Sequence, residues 1–237
     1  MKIMDGAKRL VLLVIAAAGS AQAVAGETIY FLVAEPAFRP AEVRANDSYV
    51  LPLSEEGDVE YARYLIERNR LGFLDGDETI VVARVLAGKD GVNRNHLDPR
   101  FPEWSWHVEA FHDFGAYTAE ILDGWPTGLE GMTGGFEIGF WDYTVVRELG
   151  PIPLYLSILP EVEDLEFYWS GVGTNHVYTL ERNESLTGTN WFSLPGADWP
   201  LKTNHWTLPR TNATAGFYRV RAEASNPGLN VSIRVDL

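Results

Sequence analysis

Cysteine is absent from the 237 residues, which excludes disulfides, thiol catalysis, thiolate-ligated zinc and a lipid-anchored cysteine together. Positive charge is also scarce. Nineteen Lys and Arg stand against 33 Asp and Glu, a formal charge of −14. A surface of that sign repels phosphate backbones and anionic lipid, so nucleic acid and peripheral membrane contact are poor matches, whereas cations, basic partners or simple solubility fit it. No apolar run reaches the roughly 20 residues that cross a bilayer. The run from Leu10 to Ala18 instead follows Lys2, Lys8 and Arg9 and precedes the small-residue sites Ala21-Gln22-Ala23 and Ala23-Val24-Ala25. Residues 1–25 therefore read as a signal peptide, and the mature chain is expected in the periplasm or outside the cell with no stable membrane span.

Several catalytic and cofactor signatures are missing as well. There is no Gly-x-Ser-x-Gly elbow and no His-Glu-x-x-His helix motif; Gly128 to Gly135 lacks the lysine of a phosphate loop, and Gly171-Val172-Gly173 lacks the third glycine of a dinucleotide fingerprint. What is present is a chain with 46% hydrophobic and 12% aromatic residues, enough to build a packed core. Its patterning divides in two near Gly150-Pro151-Ile152-Pro153. In residues 26–150, strands are expected over Thr28 to Ala34, Tyr49 to Leu53, Thr79 to Leu86, Trp104 to Val108, Ala116 to Leu122 and Phe140 to Leu149. One helix is expected from an N-cap at Asp58 to just before Gly72, with Val59, Ala62, Leu65 and Ile66 on its inner face. A single helix among strands without a βαβ repeat argues an α+β domain with a mainly antiparallel sheet. In residues 151–237, six short strands without a helix argue an all-β sandwich: Leu165 to Trp169, His176 to Arg182, Asn190 to Leu194, His205 to Leu208, Phe217 to Glu223 and Leu229 to Leu237.

Ala62-Arg63 on the helix, Val81-Val82-Ala83-Arg84, Asp90-Gly91-Val92-Asn93-Arg94-Asn95, Trp104-Ser105-Trp106-His107-Val108, Glu120 to Pro126 and Ile138-Gly139-Phe140-Trp141 form a set that resembles the N-terminal domain of calmodulin-binding-like proteins, over residues 28–149. That resemblance implies a binding role and carries no catalytic mechanism. Phe167-Tyr168-Trp169, His176 to Arg182 and Phe217 to Ala222 resemble a fibronectin type III domain, which implies a spacer or adhesion module.

Chemically active residue types crowd into Trp104 to Pro126. A strand period places Trp104, Trp106 and Val108 on a core face and Ser105, His107 and Glu109 on the other. His-x-Glu on a strand supplies too few ligands for zinc, and Asp75-Gly76-Asp77 and Asp90 to Asn95 lack the glycine and bidentate glutamate of a calcium loop, so no cofactor is expected. Glu120 and Asp123 are candidate ligand-gripping carboxylates. Asn93, Arg94 and Asn95 form the other candidate: flanking amides that hold a guanidinium for a ligand carboxylate or for an internal bridge. The favoured reading is an exported, non-enzymatic binding or adhesion protein with a protein or carbohydrate ligand. The alternative is an exported hydrolase or metal-dependent enzyme centred on His107, Glu109, Glu120 and Asp123.

Overall fold

The segment IYFLVA forms β1 (Ile29–Ala34), apolar at successive positions because both of its faces are covered. The computed structural model describes residues 27–36, 46–72, 79–116, 124–185, 187–213, 216–224 and 230–236. The signal segment, the Asp75 turn, Glu120 and Asp123 lie outside them. β1 pairs antiparallel with β2 (Ser48–Leu53) on one side and β6 (Thr144–Gly150) on the other. Phe31, Val33, Tyr49 and Leu51 enter the main core, while Leu32, Val50 and Leu149 meet Val92 in a smaller cluster on the opposite face.

The continuous apolar run IVVARVLA is β3 (Ile80–Ala87), the centre of a second antiparallel sheet. It lies between β4 (Trp106–Gly115) and β5 (Gly135–Ile138). Trp104, Trp106 and Val108 are buried as their alternation requires. Beyond Val108 the expected pattern breaks, because β4 is a single strand of ten residues that carries two register shifts. Val85 faces Val108 but Arg84 faces Ala110, and Ala83 faces Phe111 but Val82 faces Asp113. Glu109 and His112 are thus the extra residues of two bulges, each of which resets the inside–outside order. α1 (Glu56–Arg70) buries Val59, Ala62 and Leu65 and packs against β6. It starts two residues before Asp58: Glu55 occupies the cap position without a side-chain cap bond, and Glu56 and Asp58 lie in the first turn, where negative charge suits the helix dipole. Arg63 also donates to both carboxylate oxygens of Glu148 on β6, at 2.9 and 3.0 Å.

After Gly150 the chain builds a β-sandwich. One sheet holds β7 (Leu156–Pro160), β8 (Asp164–Trp169) and β11 (His205–Pro209), with β8 in the middle. The other runs in the order β10 (Phe192–Ser193), β9 (His176–Asn183), β12 (Phe217–Ala224), β13 (Asn230–Asp236). All pairings are antiparallel. Phe167, Trp169 and Leu208 of the first sheet meet Leu180, Tyr218 and Val220 of the second in a shared core. β7 was not expected from the sequence, and the strand expected over Asn190 to Leu194 shrinks to two residues. The architecture is an α+β domain followed by a β-sandwich. Among the described residues no helix is long and apolar enough to cross a membrane.

The two domains touch backbone to backbone. Gly173 N donates to Gly91 O at 3.3 Å. A Cβ on Gly171 would lie 2.0 Å from Gly91 O, and one on Gly91, already at φ +77, would lie 2.5 Å from the Gly173 carbonyl carbon. Only glycine permits this approach. Gly171→Ala is therefore expected to cost about 1–3 kcal/mol by overpacking, read as a lower urea midpoint. A midpoint equal to wild type would show that the junction is looser than this geometry.

Candidate functional site

The Ser105, His107 and Glu109 face is engaged in the fold. Ser105 N donates to Glu130 Oε1 at 2.9 Å, Ser105 Oγ accepts from Gly131 N at 2.9 Å, and His107 Nδ1 lies 2.9 Å from Gly88 O. Arg84 on β3 donates to Glu109 at 2.8 Å and to Glu137 at 3.3 Å, and His112 Nε2 lies 2.9 Å from the other Glu137 oxygen. These groups are solvent-exposed, so the ladder is an ordinary surface ion-pair network of small net energy. Among the described residues no three His, Asp or Glu side chains converge as metal ligands.

Asn93, Arg94 and Asn95 divide their work differently from the expected amide clamp. Asn93 Oδ1 accepts from Val50 N at 2.9 Å while its Nδ2 donates to Trp106 O at 2.8 Å, which ties β2 to β4. Asn95 Oδ1 accepts from Ser48 Oγ at 3.0 Å, and Asn95 Nδ2 donates to Asn46 O at 2.9 Å. Neither amide holds the guanidinium. Alternation along the loop sends Arg94 the other way: Nη1 donates to Phe101 O at 3.2 Å and Nη2 to Gly91 O at 3.3 Å. Phe101 is held at φ +48, an unusual conformation for a side-chain-bearing residue, and presents that carbonyl. Glu103 Oε2 lies 3.9 Å from Arg94 Nη2, and Arg94 Nε has no hydrogen-bond partner. Arg94 is only 6% exposed. Burial pushes its pKa down, and the Glu103 carboxylate pulls the other way.

Arg94 opens onto a cleft of about 550 Å³ between the domains. Lys89, Arg100 and Glu103 complete its first-domain side, and Tyr168 and Lys202 lie on the sandwich side. Glu103 Oε1 accepts from Gly91 N at 2.8 Å, and its other oxygen is 3.8 Å from Lys89 Nζ. Tyr168 donates its hydroxyl to Glu166 at 2.9 Å, its ring stacks on His205 at 4.4 Å, and Arg100 interacts with the same hydroxyl. His176 also lines the cleft, with a buried Nδ1 that lacks a partner. Cations and hydroxyls dominate these walls, a set whose chemistry suits anions and polar groups.

Behind the cleft sits His96, packed against Phe101 at 5.4 Å and Tyr155 at 5.5 Å, with both ring nitrogens unpartnered. Burial, helped by the positive charges of Arg147 and Arg94, lowers its pKa to about 3. A second polar cluster escaped the sequence reading altogether. Buried Asp47 accepts from Thr127 N at 3.1 Å, from Thr127 Oγ1 at 2.7 Å and from the Tyr143 hydroxyl. Those partners lie 80 and 96 positions away along the chain. The cleft was equally invisible, since Arg100, Tyr168 and Lys202 share no local motif.

An α+β domain joined to a β-sandwich, with a polar cleft at the joint, defines the class of protein. A family model described as the BP-74 N-terminal domain matches residues 30–151, just over half of the chain, and the chain belongs to that family. The resemblance to calmodulin-binding-like domains is a looser description of the same region. A comparison with curated proteins finds no match.

Asn93→Leu would strand the buried Val50 N–H and Trp106 carbonyl, an expected loss of about 2 kcal/mol or more in urea unfolding. A neutral result would mean that both groups find other partners. His96 sets a pH dependence of definite sign. Its pKa is about 3 folded against about 6.5 unfolded, so below that unfolded value only the unfolded chain gains the proton. Stability should fall as pH drops through this window, by up to about 1.4 kcal/mol per pH unit, in addition to the carboxylate contributions. His96→Leu should show the shallower slope. Equal slopes would mean that His96 titrates alike in both states.

Proposed function

We propose that this protein is an exported, non-enzymatic binding or adhesion protein that takes its ligand at the junction of its two domains. The second domain serves as a fibronectin type III-like sandwich that completes the site. One observation carries the reading: the cleft has walls from both domains, with Arg94 and Arg100 facing Tyr168 and Lys202, and the glycine contact at Gly91, Gly171 and Gly173 holds those walls in register. A binding protein uses such preorganisation, because walls already in place need little ordering when the ligand arrives. The volume lies within the roughly 300–1,000 Å³ usual for small-ligand sites.

Binding is favoured over hydrolysis by the state of the reactive residues. Glu109 is paired with Arg84, His112 with Glu137, and His107 Nδ1 with the Gly88 carbonyl, so contacts within the fold account for the placing of all three. Thr174 sits exposed on the cleft rim, where a larger side chain fills the site from solvent without touching the core. In a thermal-shift screen of saccharides and short peptides, compounds that stabilise the wild type should lose that effect in Thr174→Trp. Stabilising compounds that ignore the substitution, or that are consumed by the protein, would overturn the proposal.

A further inference from the structure

The geometry points to a narrower role for the same cleft: it recognises an oxyanion carried on a small hydroxylated ligand of the sugar-acid or sugar-phosphate kind. This rests on the reading of the junction as a binding site, and the test below separates the two.

The chain has 33 acidic and 19 basic residues, yet the cleft is lined by Lys89, Arg94, Arg100 and Lys202 against Glu103. A lining drawn at random from this composition would be acidic. Glu103 is already engaged, since it accepts from Gly91 N and sits between Lys89 and Arg94. Glu166 is occupied by the Tyr168 hydroxyl, and Asp90 Oδ1 accepts from Val92 N and Asn93 N at 2.8 and 2.7 Å. No described carboxylate lies within ion-pair distance of Arg100 or Lys202, which reach the cleft from opposite domains.

The second observation is independent of net charge. Arg94 is buried, its Nη groups are spent on the Phe101 and Gly91 carbonyls, and its Nε–H is left without an acceptor. A buried donor without a partner is costly and rare. Nε itself is closed to solvent, so the ligand acts through charge: an oxyanion in the cleft offsets the desolvation that burial imposes on this guanidinium, whose nearest carboxylate, Glu103, stands 3.9 Å away. Arg100 and Lys202 then bracket the same anion from the rim. The Thr174 hydroxyl and the Thr203 hydroxyl on the wall, the latter still able to accept while it donates to His205 O at 3.2 Å, suit the hydroxyls of a sugar ring better than an apolar body. Because the rest of the molecule repels anions, affinity must come from these short contacts, so neutral sugars and bulky polyanions are both disfavoured.

Carboxylate and phosphate share this chemistry, and titration calorimetry with defined probes separates them. Digalacturonate, neutral galactobiose and inorganic phosphate are titrated into the purified full chain, then into Arg100→Glu and Lys202→Glu. Both substituted residues are exposed, and unchanged urea midpoints verify that the variants fold. Digalacturonate or phosphate should bind, galactobiose should not, and each charge reversal should weaken binding at least about tenfold. Displacement of digalacturonate by phosphate would place both anions on one locus; binding of only one would identify the carboxylate or the phosphate as the group recognised. Galactobiose binding as tightly as digalacturonate, with loss in Thr174→Trp, would overturn the oxyanion inference and leave the cleft reading standing. Anion binding that ignores both charge reversals, or no binding of either anion at millimolar concentration, would overturn it too.

Discussion

The placement of the Asp90 to Phe101 loop depends on one buried residue, Ser48. Its carbonyl accepts from Trp104 Nε1 at 2.8 Å, while its hydroxyl donates to Asn95 Oδ1 and accepts from His96 N. Two residues along β2, Val50 N donates to Asn93 Oδ1. Three of these connections run from one strand into an irregular loop whose own pairing is a single bridge, Arg94 with Glu103, too little to satisfy its polar groups. A loop so anchored can stay buried, because its side-chain amides replace the backbone partners it lacks. Asp90, which accepts from Val92 N and Asn93 N, closes the turn at the loop's entrance.

The anchoring decides where Arg94 goes. With Asn93 committed to β2 and β4 and Asn95 to β2, the residue between them must point away from the first domain's core, toward the sandwich. Gly91 is drawn against Gly171 and Gly173 by the same turn, so the loop that orders the first domain also docks the second. His96 fills the space behind, wedged between Phe101 and Tyr155, and Tyr155 returns to the first domain by donating to Leu149 O at 3.3 Å. Packing, docking and the cleft wall are therefore one arrangement, and a change at Asn93 should be felt at Arg94.

Elements were legible in the sequence where period and burial agree. IVVARVLA announced a central strand and Val59, Ala62 and Leu65 a helix face, since each pattern reflects a surface against which the element packs. The sense of β4 was legible only to Val108, because Glu109 and His112 sit at bulges, and an inserted residue leaves no mark in composition. Asn93, Arg94 and Asn95 stood out as residues, but their partners did not: Val50 and Trp106 lie 43 and 13 positions away, and only tertiary structure brings them together. The face at Ser105, His107 and Glu109 lies outside the core, where its side chains serve sheet and turn contacts. The cleft was illegible for a stronger reason. Lys202 and Arg100 are unremarkable surface cations until two domains dock, and net charge gives no hint of where an opposite local field will form.

That local field shows how the architecture and the chemistry constrain each other. A strongly acidic chain stays soluble through self-repulsion, but the same field discourages anions from approaching. On the proposed reading, concentrating cations at a docked junction meets this by geometry: the low-dielectric walls strengthen short contacts to a bound group, while water and salt screen the distant carboxylates. The arrangement works only if the walls keep their spacing, since charge-assisted bonds lose their value within an ångström or two of misplacement. A backbone contact between glycines provides that spacing more rigidly than side-chain packing, which can re-adapt by rotamer changes. The absence of cysteine makes this contact matter more, because no covalent staple is available to hold one domain against the other.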